Sequence, residues 1–211
     1  MRKLVVIALA LISISIVNAC GSGADSGSSV DDTWFSQHDT HVSGIVTVTA
    51  DDDAVGRFIY VDVEFLDADG ESIATAQRPA IVDWEKQRFA LPVEADTTGG
   101  HVASMRTTLR TSGEKIGDSG PQIDPVEAYS ITDDGPTTHT ASFALHQLPD
   151  ETQTGVTTLD LGVACFDKGG DLIGGTAENP KIPETGGLLQ VKAHVTTDSR
   201  PDSCRAFPAH L

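Results

Sequence analysis

Three cysteines, at positions 20, 165 and 204, have the best-defined chemistry in this chain of 211 residues. A thiol can take a lipid substituent, ligate a metal as thiolate, or pair with a second thiol. Spacing separates the three. Cys165 and Cys204 lie far from the C-x-x-C spacing of a redox-active pair. In an oxidising compartment they make an even pair suited to a structural disulfide. Closing a loop of about forty residues, such a bridge contributes roughly 4 kcal/mol by the loop-entropy estimate. Cys20 stands apart, at the end of an apolar run.

Other strings invite chemistry and support it poorly. Asp67-Ala-Asp69-Gly70 places two carboxylates where they could meet on one calcium ion. A calcium loop would need a further oxygen ligand before the glycine and a bidentate Glu six residues after it, where Ala76 stands. An Asp-Gly hairpin turn is the better reading. Asp51-Asp52-Asp53 reads as a solvated hairpin tip. His38 and His41 are the only close pair among seven histidines, whereas zinc wants three or four converging ligands. No metal site and no cofactor are therefore expected. Gly117-Asp118-Ser119-Gly120-Pro121 resembles the active-serine motif of chymotrypsin-like proteases with one glycine missing. No histidine string of that family precedes it, and it reads as an exposed loop. Trp34, Trp84, Tyr60 and Tyr129 could line a carbohydrate or peptide surface, although scattered aromatics usually pack in a core or at an edge. No catalytic residues are expected.

The segment that must position Cys20 is the amino terminus. Arg2 and Lys3 precede an apolar run, Leu4 to Val17, and Val17-Asn18-Ala19-Cys20 follows. This is the layout of an export signal. Its end resembles the lipobox of bacterial lipoproteins, with an aliphatic residue at −3, a small residue at −1 and cysteine at +1. The resemblance implies a signal peptide over 1–19, cleavage before Cys20, and diacylation of that cysteine with palmitate-class chains. The mature chain would then be held at the extracytoplasmic face of the cell membrane. Two acyl chains give stable anchoring where one does not. Ordinary secretion with a free Cys20 also fits the Val-x-Ala site. A spanning anchor fits worse, because the run is about fourteen residues and a membrane helix needs roughly twenty.

The chain carries 14 basic and 31 acidic residues, for a formal net charge of −17. Loss of Arg2 and Lys3 with the signal leaves twelve basic residues and a charge near −19. Nucleic acid and anionic lipid surfaces both require a positive footprint, so neither is an expected partner of the folded part. Gly21 to Val30, GSGADSGSSV, has too little apolar content to pack and reads as a flexible linker.

Beyond the linker the chain repeats itself at an offset of 100 residues. Arg57 to Gly70 is an alternating run ending in an Asp-Gly turn, and Thr157 to Gly170 does the same. Ile59, Val61, Val63 and Phe65 alternate with Tyr60, Asp62 and Glu64, the period-two signature of a strand with one buried face. Leu159, Leu161, Val163 and Cys165 repeat it, so Cys165 points inward where Phe65 does. Return strands are predicted over Glu71–Gln77 and Asp171–Ala177, then Arg88–Val93 and Leu188–Val195. A last strand at Cys204–Phe207 has its counterpart at Ser104–Leu109, with Phe65 and Ser104 in the places of the two cysteines. Opening strands are predicted over Val42–Thr49 and Thr138–Leu148. Thr132-Asp-Asp-Gly-Pro136 reads as the break between the two units.

The strings YVDVEFLDADGESIAT and LDLGVACFDKGGDLIGGT, with a late CRAFP, resemble the FxLYD-type immunoglobulin-like modules of bacterial cell-surface lipoproteins. The match covers 57–77 and 157–177 and lacks the Asn-rich turn of that pattern. It implies fold and location and carries no common catalytic residues. The expectation is an all-β chain: two tandem immunoglobulin-like β-sandwiches over 38–132 and 137–211, the second with the disulfide, after a lipidated linker over 20–37. The expected role is non-enzymatic binding or structure in the cell envelope, with a protein or envelope component as partner. The alternative is an accessory solute- or cation-binding lipoprotein using its acidic loops.

Overall fold

A computed structural model describes residues 27–116, 123–148, 158–183 and 187–209. The fold is all-β. The strands are β1 (Ser29–His38), β2 (His41–Thr49), β3 (Phe58–Leu66), β4 (Ser72–Ile81), β5 (Arg88–Asp96) and β6 (Ser104–Thr111). They are followed by β7 (Val126–Glu127), β8 (Ser130–Asp133), β9 (Thr138–Leu148), β10 (Asp160–Phe166), β11 (Leu172–Glu178), β12 (Gly187–Thr197) and β13 (Ser203–Ala209). All named pairings are antiparallel.

The first six strands form two sheets, ordered β1-β2-β5 and β4-β3-β6. The remaining seven form one sheet, ordered β7-β13-β10-β11-β12-β9-β8. That sheet contains the same two runs, β8-β9-β12 and β11-β10-β13. They join where β11 and β12 share only the pairs Gly174↔Thr197 and Gly175↔Thr196. The 100-residue repeat in the sequence is thus a repeat of strand order.

Alternation explains both interiors. In the first set, Val42, Val46, Val48, Phe89, Leu91 and Val93 of one sheet meet Ile59, Val61, Val63 and Phe65 of the other. In the second, Ala141, Phe143, Val191, Ala193 and Val195 meet Leu161, Val163, Cys165 and Cys204, so the long sheet folds back on itself. Each buried aliphatic or aromatic side chain contributes about 1.5–3 kcal/mol, and the two clusters supply most of the drive to fold.

A third cluster lies between the sets. Trp34, Ile45 and Ala90 point away from the first interior and pack on Ala164, Leu172 and Phe207, which point away from the second. Strand β10 is consequently buried on both faces from Asp160 through Cys165. Small side chains make this possible. A Cβ on Gly162 would overlap the carbonyl oxygen of Ala90, closer than any two such atoms can come. Residues 160, 162 and 164 are Asp, Gly and Ala, whereas their counterparts on β3 are Tyr60, Asp62 and Glu64, facing solvent.

Two boundaries differ from the sequence reading. Strand β1 starts at Ser29 and pairs with β2 as far as Ser29↔Thr49, so the packed body begins inside the segment 20–37 expected as linker, ahead of 38. Ser-Val-Asp-Asp lacks an apolar alternation, and pairing to β2 holds it as strand. Thr132 to Pro136 runs from the end of β8 into the turn of the β8–β9 hairpin, closed by Asp133↔His139. The second set therefore begins at β7, before the expected break at Thr132–Pro136. Asp51 to Asp53 also differs from a hairpin tip. Asp51 caps a short 3-10 turn over Asp52–Ala54 that carries the chain from one sheet to the other.

Candidate functional site

The two Asp-Gly turns use their carboxylates internally. Asp67 Oδ1 accepts the N–H groups of Asp69 and Glu71, each at 2.9 Å. Asp167 Oδ1 accepts those of Gly169 at 2.7 Å and Asp171 at 3.0 Å. Gly70 and Gly170 take φ of 81° and 90°, a conformation that glycine adopts without strain. Both turns are Asx-type hairpins, in which the acidic group is a backbone acceptor. His38 and His41 flank the β1–β2 turn. His38 is beside Asp39 at 3.3 Å with side chains 94% and 88% exposed, and His41 is beside Asp96 at 3.2 Å. Among the described residues no group of three His, Cys, Asp or Glu side chains is placed to hold a metal ion.

Cys165 and Cys204 form a disulfide that joins β10 to β13 at directly opposed positions. In the first set the register places Met105, one residue beyond the expected Ser104, opposite Phe65. Cys20 and Gly117 to Pro121 lie outside the described residues.

The polar groups between the two sets are structural in their geometry. The indole N–H of Trp34, 6% exposed, donates to Asp198 at 2.9 Å. Asp32 Oδ2 accepts the Leu172 N–H at 3.1 Å. Arg78 bonds Asp160 at 2.6 Å where Asp160 is nearly buried. A shallow cleft of about 110 Å³ opens beside Trp34 between β2, β5 and β11, with Glu94 the one charged residue among the described residues that line it. Of the other aromatics, Tyr129 is exposed, and Tyr60 lies beside Phe58 and beneath the Arg110 guanidinium.

On the outer face of the β4-β3-β6 sheet several functional groups converge in solvent. Arg110 bonds both oxygens of Asp62, and Gln77 donates to the same carboxylate. Arg106 bonds Glu64 at 2.9 Å. The Arg110 guanidinium holds the Asp62 carboxyl below its usual range against the cost of burial, and the Gln77 amide adds a smaller lowering. Spacing alone did not single out Arg106 and Arg110. The signal was available in Ser-Met-Arg-Thr-Thr-Leu-Arg-Thr, where arginines four apart share a strand face. Beside this face, β6 ends its sheet, with no strand on its outer side among the described residues.

No protein-family model matches the chain, and neither a curated protein nor a solved structure matches it.

Proposed function

We propose that this chain is a membrane-anchored, extracytoplasmic lipoprotein that binds or organises another protein or envelope component without catalysing a reaction. Lipid on Cys20 would hold it, and two immunoglobulin-like modules would be what it presents. The observation that carries the binding role is the strand order. Orders β1-β2-β5 with β4-β3-β6, and β8-β9-β12 with β11-β10-β13, fit the paired sheets of an immunoglobulin-like sandwich with no last strand among the described residues. A sandwich without that strand presents backbone donors and acceptors along one edge, which is a template for a partner. Support for the anchor comes from Arg2, Lys3, the apolar run and Cys20 in the sequence.

Two measurements test the reading. Cys20→Ala should abolish incorporation of labelled palmitate and move the protein from the membrane to the soluble fraction. Membrane retention of the cleaved variant would refute lipidation. Crosslinking in intact cells followed by purification of the full chain should return a defined partner in stoichiometric yield, and repeated failure to do so would refute the binding role.

A further inference from the structure

Among the described residues the chain builds the same edge twice and covers it once. In the second set, β7 lies along the outer edge of β13, with Ala206↔Val126 and Arg205↔Glu127 in register and the Ala128 N–H donating to the Cys204 carbonyl at 2.9 Å. Glu127 accepts from Arg205 Nη2 at 2.9 Å and from Nε at 3.2 Å. Val126 packs against the second interior. In the first set the matching strand is β6. Glu64 faces Arg106 as Ala164 faces Arg205, Val63 faces Thr107 as Val163 faces Ala206, and Phe65 faces Met105 as Cys165 faces Cys204. Arg106 therefore stands where Arg205 stands, and Thr107 where Ala206 stands. Among the described residues nothing pairs with the outer edge of β6.

The course of the opening strand explains the difference. In the second set the chain leaves β13 after Glu127 and joins β9 as β8 from Ser130, so one segment serves both sheets. In the first set all of β1, from Ser29 onward, stays on β2. Eight residues of β6 remain, alternating between exposed and half-buried. Among the described residues the buried hydroxyls of Thr107 and Thr111 find no hydrogen-bond partner.

We infer that the outer edge of β6 docks an extended segment of another polypeptide, antiparallel to β6, with a carboxylate opposite Arg106 and an apolar side chain opposite Thr107. This deepens the binding role proposed above and rests on it. The chemistry of the occupant is read from β7, which supplies Val, Glu and Ala to the equivalent edge. Among the described residues Arg106 makes one bond, from Nη1 to Glu64, so its remaining donors can take a second carboxylate. A second β6 is a poor occupant. The strand holds two arginines and no acidic residue, so pairing it with itself supplies no carboxylate to either guanidinium.

The test uses the full chain and a fluorescein-labelled peptide, Val-Thr-Val-Thr-Val-Glu-Ala, whose last three residues copy 126–128. Fluorescence anisotropy should show saturable binding. Thr107→Pro removes an outward N–H at an edge position that tolerates proline, and should weaken binding at least about tenfold. Arg106→Glu should weaken it at least about fivefold, and a peptide with Lys in place of Glu should restore affinity to that variant. Circular dichroism of both variants confirms that they fold. Binding that is absent, or indifferent to both substitutions, overturns the proposal. So does a dimer of the full chain that Thr107→Pro dissociates, which would assign the edge to a second copy. A partner captured in cells equally by Thr107→Pro and the parent chain would overturn the edge site and leave the binding role standing.

Discussion

Gly162 and Asp62 occupy opposite ends of what a single position can contribute here. Gly162 has no room for any side chain, because its Cα faces the Ala90 carbonyl across the contact between sets. Gly162→Ala is expected to cost about 3 kcal/mol or more by overpacking, read as a lower urea midpoint. Gly113 is the control, since a methyl group added there would meet nothing within 4 Å, and Gly113→Ala should change stability by less than about 0.5 kcal/mol. Equal effects at the two sites would refute the tight contact. Asp62 is instead stabilised as a charge. Its folded pKa lies below the ordinary 3.8, so its contribution is present above 3.8 and is lost as pH falls through the folded value. Asp62→Asn should flatten the decline of melting temperature between about pH 5 and pH 2. A variant that declines as steeply as the parent would refute this role.

At the scale of the strand, the hairpins β3–β4 and β10–β11 were legible because period-two alternation runs straight into Asp-x-x-Gly. Strand β1 was not, since its first residues resemble the preceding Gly/Ser run and are ordered only by β2. Strands β7 and β8 were also missed, being too short to show a period. The double burial of β10 had a visible signal in Gly162 and Ala164, where β3 has Asp62 and Glu64. The disulfide was read correctly from the parity of the cysteines. It ties the strand on which β7 rests, so its loss should loosen that edge as well as the core. Replacing Cys165 and Cys204 together with alanine should lower stability by roughly 4 kcal/mol, measured against the oxidised parent in urea. Asp167→Ala should cost about 1–2 kcal/mol by leaving two turn N–H groups without their acceptor, and Asp167→Asn less. An alanine variant as stable as the parent would exclude the turn role of this carboxylate.

For the whole molecule, the contact between sets determines how it unfolds. Trp34, Ile45 and Ala90 against Ala164, Leu172 and Phe207 form an apolar layer, flanked by the Arg78–Asp160 pair. Separating the sets would expose that layer and strand a nearly buried carboxylate. Calorimetry should therefore show one transition, with the fluorescence of Trp34 and Trp84 and far-ultraviolet circular dichroism coinciding. Arg78→Ala leaves Asp160 without its counter-ion and should cost about 3 kcal/mol. Two resolved transitions in the parent chain would mean that the layer does not couple the sets.

The early start of β1 sets the geometry of attachment. Ser29 follows Cys20 by nine residues, so with lipid on Cys20, as proposed, the leash reaches about 30 Å at full extension. The end of the body nearest that leash is the Asp51–Asp53 turn, tied to the start of β1 by Asp51 N–H to Ser28 Oγ at 3.0 Å. The β1–β2 turn with His38 and His41 lies one strand length away. A body held so closely has a near pole and a far pole. Its near pole is acidic and would be pushed off an anionic bilayer, which turns a short leash into a standoff and presents the histidine turn outward.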